Sequence, residues 1–212
     1  MANLIIKPTS GGSLVLQDEG GDAALTVGTT GNTTLAGTSN NLGTVAATTN
    51  FPAGHVIQVQ SLTLDTPQEK ASPTTKTWYD VPSFTLNITP SATSSKVMVM
   101  VVLQCSMDES QEVGFQLMRG STSIGVGAAS SNRTRVSSSM RMDAGSSSDY
   151  RTITNVINHL DSPSSTSATT YKLQWRNMYS TGFMYLNRSF QWDDSDDRSA
   201  SCSTLTLMEI AG

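Results

Sequence analysis

Ser83-Phe84-Thr85-Leu86-Asn87-Ile88-Thr89-Pro90-Ser91-Ala92-Thr93-Ser94-Ser95-Lys96-Val97-Met98-Val99-Met100-Val101-Val102-Leu103 carries, in one stretch, the signals that decide the fold. Phe84, Leu86 and Ile88 alternate with Thr85, Asn87 and Thr89, the period of a half-buried strand, and Pro90 closes the run. Residues 97–103 are then continuously apolar, which predicts a central strand buried on both faces. The same pattern extends downstream. Val113, Phe115 and Leu117 alternate and run into the turn Arg119-Gly120-Ser121. Tyr171, Leu173 and Trp175 point one way while Lys172, Gln174 and Arg176 point the other, and Met184-Tyr185-Leu186 and Leu205-Thr206-Leu207-Met208 complete the set. About eight to ten short strands without a helical period predict a β-sandwich or jelly roll over residues 57–212.

The 212 residues agree with that expectation. Hydrophobic residues make up 37% and charged residues 14%, against roughly 45–50% and 25% in average globular chains. The difference is filled by 31 Ser and 28 Thr, which with glycine favour strands and turns over helices. A net charge of −4 argues against a protein that works by neutralising phosphates, so no nucleic-acid partner is expected. No apolar run is long enough for a helix to span a bilayer, and no membrane insertion is expected. Met1-Ala2-Asn3-Leu4-Ile5-Ile6-Lys7-Pro8 lacks the layout of a secretory signal, so assembly in a cytoplasm is expected. Cys105 and Cys202 each lie in or beside an apolar run and are expected to be buried thiols. A bridge between them would require those strands to be neighbours.

Upstream of residue 50 the composition changes. All thirteen aromatics lie at Phe51 or later, and residues 1–50 carry only Lys7, Asp18, Glu19 and Asp22 as charges. A segment without aromatics can hardly build its own core. Short apolar runs nevertheless recur at Ser13-Leu14-Val15-Leu16-Gln17, Ala24-Leu25-Thr26-Val27 and Thr33-Thr34-Leu35-Ala36, separated by glycine-rich turns. Such a strand-and-turn repeat needs neighbours, and three chains wound about one axis would supply them. A flexible Gly/Thr linker is the alternative reading. The expected organisation is an all-β chain: a β-repeat stalk over 1–45 that trimerises, a connector over 46–56 and a jelly-roll head over 57–212. Leu4, Ile5, Ile6, Leu14, Leu16, Leu25, Val27 and Leu35 are the candidate attachment and trimer-stalk residues.

The inventory for catalysis is thin. His55 and His159 belong to no metal-ligand spacing, no G-x-S-x-G elbow is present, and Gly125-Val126-Gly127 lacks the residues of a phosphate loop. Neither an enzyme nor a cofactor is expected, and both histidines read as surface or turn residues. The acidic run Asp193-Asp194-Ser195-Asp196-Asp197 suits a hard cation such as calcium, with Asp193, Asp194, Asp196 and Asp197 as candidate ligands. It lacks the glycine and glutamate of an EF-hand loop. A solvated hairpin loop, or a subunit contact with Arg133, Arg135, Arg141 or Arg151 of a neighbouring chain, is the alternative. Among the aromatics of the last third, Tyr171 and Trp175 alternate as core residues should. Tyr179 and Trp192 fall in loops and are the candidates for receptor binding.

Residues 89–99, Thr-Pro-Ser-Ala-Thr-Ser-Ser-Lys-Val-Met-Val, resemble a stretch common in tail-fibre and virion proteins of bacteriophages, cyanophages in particular. The ending Ser203-Thr204-Leu205-Thr206-Leu207-Met208-Glu209-Ile210-Ala211-Gly212 is similar to the same proteins, as are Tyr171-Lys172-Leu173-Gln174-Trp175 and Tyr185-Leu186-Asn187-Arg188-Ser189. Residues 16–27 look like the repeat that precedes the head in such fibres. The resemblance implies a homotrimer in the virion, a stalk that attaches to phage tail or major capsid proteins, and a tumour-necrosis-factor-type jelly-roll head. As a short tail fibre or spike, the head would bind a host surface glycan or protein. As a capsid decoration protein, it would bridge capsomers. A polysaccharide depolymerase ranks well below both, because the long β-helix of such enzymes does not fit this chain length.

Overall fold

The structure is a computed structural model that describes residues 12–17, 20, 23–27, 33–35, 51–71, 73–74, 76–107, 111–142, 151–179 and 181–212. Among these residues there is no helix, and every strand pairing is antiparallel. The chain divides into two units, Met1–Asn50 and Phe51–Gly212.

In the first unit β1 (Leu14–Gln17), β2 (Ala23–Val27) and β3 (Thr33–Leu35) form a three-stranded sheet in the order β1-β2-β3. Leu14 pairs with Val27 and Leu16 with Leu25, while Val15 pairs with Thr26. Strand alternation therefore gathers Leu14, Leu16, Leu25 and Val27 on one face. Leu35 takes the register position beside Leu25. No residue of this unit whose burial is described is fully buried, and Leu16 is 50% exposed.

The second unit contains β4 (Val56–Leu64), β5 (Gln68–Lys70), β6 (Tyr79–Ile88), β7 (Lys96–Met107), β8 (Gln111–Arg119), β9 (Thr122–Ile124), β10 (Ser138–Met142), β11 (Ile153–Asp161), β12 (Thr169–Asn177), β13 (Met184–Leu186) and β14 (Ser203–Ile210). One sheet runs β10-β8-β12-β6 with β9 on β8; the other runs β4-β14-β7-β13-β5 with β11 on β7. From β6 onward the chain crosses repeatedly between the two sheets, except that β8, β9 and β10 stay in one and β13 and β14 in the other, which gives a two-sheet antiparallel sandwich. Between them lies one core that includes Phe84, Val97, Val99, Val101, Leu103, Phe115, Leu117, Tyr171, Leu173, Trp175, Leu205 and Leu207. In β6 the alternation breaks at Ser83, whose φ is +57°. Pairing with β12 shifts register there, which lets both Val81 and Phe84 face the core.

Two expectations are corrected at this level. The run 97–103 is buried on one face only: Val97, Val99, Val101 and Leu103 point into the core, whereas Met98 and Val102 are half-buried and Met100 is exposed. Cys105 is buried, but Cys202 is exposed and the two thiols are free. Cys202 sits one residue before β14, out of phase with the inward-facing Ser203, whose hydroxyl donates to Asn187 Oδ1 at 2.6 Å.

His159, read from the sequence as a surface or turn residue, is half-buried within β11. Gly125 packs against it with φ of +59°, and a Cβ there would lie 3.0 Å from His159 Cγ. Both the backbone conformation and the space call for glycine.

Candidate functional site

After β13 the chain makes an isolated bridge between Arg188 and Ala200, and residues 189–199 form the loop it closes. Arg188 anchors the base of this loop. Its guanidinium stands 4.6 Å from the centroid of the Tyr185 ring and 5.3 Å from that of Trp192. It donates to the carbonyls of Ser189 and Phe190 and pairs with Glu69 at 3.3 Å. A planar cation stacked against two rings fixes the indole while leaving Trp192 40% exposed.

Arg198 organises the acidic run. It ion-pairs with Asp193 and, at 2.6 Å, with Asp197, whose carboxylate also accepts from the Ser195 hydroxyl. The Arg198 hydrogen bond holds the Asp193 carboxyl below the ordinary range, and the Ser195 bond, followed by Arg198, does the same for Asp197. The Arg198 guanidinium is held protonated in return.

Trp192, Asp193, Asp194, Ser195, Arg198 and Ala200 line a cleft of about 300 Å³, at the small end of the range for small-ligand sites. An exposed indole beside carboxylates, a hydroxyl and a guanidinium can stack an apolar ring face and bond its polar substituents.

The candidate residues fall as follows. Trp192 and Asp193 to Asp194 share this cleft, and Asp196 and Asp197 lie in the same loop. Asp193 and Asp197 are engaged by Arg198, and among the described residues no group of three or more His, Cys, Asp or Glu side chains is placed to hold a metal ion. Within the chain Arg198 is a cation that pairs with the run. Arg133 and Arg135 bond within the chain to Ser130 and the Gly127 carbonyl.

Tyr179, 60% exposed, follows β12 and is not part of the cleft lining; the Arg141 guanidinium is 5.8 Å from its ring. Leu14, Leu16, Leu25 and Val27 share the apolar face of the N-terminal sheet. Leu4, Ile5 and Ile6 lie outside the described residues.

Sequence reading missed Arg188 and Arg198 as organisers of the loop. A signal for the second existed: Arg198 is the only cation after Arg188 and stands at the end of the acidic run.

No family model matches the chain, and no curated protein matches it. Among solved structures it is similar to a chain in the structure of infectious bursal disease virus, Gx strain, at 12% identity and a TM-score of 0.36. That match covers 74% of this chain and 39% of the viral chain. A likeness this loose carries nothing about function or assembly.

Proposed function

We propose that the chain is a virion structural protein. In this reading it is a homotrimeric short tail fibre or spike that attaches through its N-terminal segment and presents the head to a host surface. It acts by binding, without catalysis. The observation that carries the reading is the N-terminal sheet. Four aliphatic side chains, Leu14, Leu16, Leu25 and Val27, stand in register on one face of β1 and β2, with no second layer among the described residues of the unit. An isolated sheet of this size is marginal in water. Copies packed on that face would bury each side chain, and fully burying one is worth about 1.5–3 kcal/mol.

The exposed Trp192 and Tyr179 on head loops suit host contact. Three copies would sum weak sites through avidity. Capsid decoration is the second reading, and the exposure of Val15 (41%) and Leu16 (50%) on the stalk favours it, since a cement protein docks by apolar surface. Antibody against the head, imaged on intact particles, separates the two. Label on the tail supports the spike, label over the shell supports decoration, and particles without label overturn the virion assignment.

A further inference from the structure

The half-buried cations of the head are matched by carboxylates. Arg119 pairs with Asp161, Lys172 with Asp80, Arg188 with Glu69, and Arg198 with Asp193 and Asp197. Arg176 breaks that pattern. It is the buried cation among the described residues, at 8% exposure, and it makes neither an ion pair nor a hydrogen bond there. Its Nε is closed off from solvent without an acceptor.

The strands explain how a cation comes to be buried on an outer face. In β12 the core takes Tyr171, Leu173 and Trp175, so alternation turns Arg176 outward. Register sets it opposite Gly114 of β8, with Ser139 of β10 beyond, and Trp78 stands on its other side, one residue before the Tyr79–Trp175 pair. The guanidinium lies 5.3 Å from the centroid of the Trp78 ring. Val136, Met178 and Trp78 converge on Gly114: a Cβ there would lie 3.0 Å from Val136 Cγ1, 3.1 Å from Met178 Sδ and 3.7 Å from Trp78 Cη2. The surroundings of the cation are therefore apolar and aromatic. Burial alone pushes the guanidinium below its ordinary range.

We propose that Arg176 is the receptor for a monocarboxylate that reaches the outer face of the β10-β8-β12-β6 sheet from outside the described residues. A guanidinium cannot shed its charge at neutral pH, so its lost hydration must be made good by a partner. Stacking on Trp78 supplies part of this and fixes the plane of the fork. The unused N–H donors match the two oxygens of a carboxylate, which takes parallel bonds from one guanidinium. A single negative charge is the one that fits. Glu112 lies two residues along β8 on the same face, and Asp80, held by Lys172 and Gln174, lies beside Gln174. These two carboxylates would repel a dianion such as phosphate twice as strongly. The apolar walls suit a carboxylate borne on a short hydrocarbon group. The proposal does not depend on the virion reading.

The test uses the full-length chain with isotope-labelled arginine, titrated with sodium acetate against sodium chloride at equal ionic strength and pH 7. The Arg176 Nε–Hε signal, identified by its absence from Arg176→Lys, is expected to move saturably with acetate and not with chloride. A signal that follows acetate no more than chloride overturns the proposal, and one that saturates with phosphate before acetate overturns the monocarboxylate class. Butyrate and N-acetylglutamic acid α-amide carry the same group on a free acid and on a protein-like side chain; the tighter binder names the source. Arg176→Met is expected to bind acetate roughly tenfold or more weakly, and retained binding would remove Arg176 from the site. In chloride the same variant should melt no lower than the parent, because it removes an uncompensated charge. A lower midpoint, with the parent's signal unmoved by acetate, identifies a structural cation stacked on Trp78 and overturns the proposal.

Discussion

At Glu209 the fold places a fully buried carboxylate one residue from the end of β14 and surrounds it with donors. Oε1 accepts from the Ser91 amide, the Ser91 hydroxyl and the Ser95 hydroxyl at 2.6–2.7 Å, and Oε2 accepts from Gln58 at 2.6 Å. Burial pushes this carboxyl up, and the bonds from Ser91, Gln58 and Ser95 together outweigh it, so its value falls below the usual glutamate range. A depressed folded value means that the stabilisation is present above the unfolded value, about 4.3, and is lost as pH falls through the lower folded one. Glu209→Gln is therefore expected to cost about 1–3 kcal/mol at pH 7. It should also flatten the loss of stability below pH 4.5 in denaturant titrations; parallel pH curves for the two proteins would contradict this.

At Gly125 the account predicts that Gly125→Ala lowers the thermal midpoint, by roughly 1–3 kcal/mol of stability, because it forces a left-handed alanine against His159. Arg198→Ala should leave the midpoint unchanged and increase proteolytic nicking of the acidic loop. Neither Glu209 nor its clamp was legible in the sequence: Ser91 and Ser95 lie more than a hundred residues away along the chain. Trp192 was legible as a loop aromatic, whereas the stacking of Arg188 upon it depends on contacts that spacing does not display.

Among the elements, β7 shows where pattern reading succeeds and where it stops. Its position as a central strand followed from a continuous apolar run, and it pairs with β14, β11 and β13. Such a run looks the same whether the second face is covered within the chain or left for a partner, so the exposure of Met100 was not readable. Conversely, the alternation in β12 is kept by the structure: Tyr171, Leu173 and Trp175 are buried at 0–1% exposure. The N-terminal strands were legible as short apolar runs, and their register adds that the leucines and Val27 share one face. Leu25→Asp, on that face, is expected to abolish the trimer in sedimentation while leaving the near-ultraviolet signal of the head's aromatics intact. A variant trimer as stable as the parent would remove the sheet from the assembly.

On the scale of the whole molecule, the head has a core of its own, whereas no residue of the N-terminal unit whose burial is described is fully buried. Removal of residues 1–45 is therefore expected to leave a folded head that no longer attaches to particles; a truncated chain that still binds them would refute the stalk assignment. Both units leave apolar surface that the chain's described residues do not cover, the leucine face of β1-β2 and the Met/Val face of β4-β14-β7-β11. The central claim is that copies of the same chain cover the first of these. Its most direct test is the mass of the full-length protein at sedimentation equilibrium. The account predicts a single species at three times 22.5 kDa that persists on dilution, and a species at the mass of one chain would contradict it.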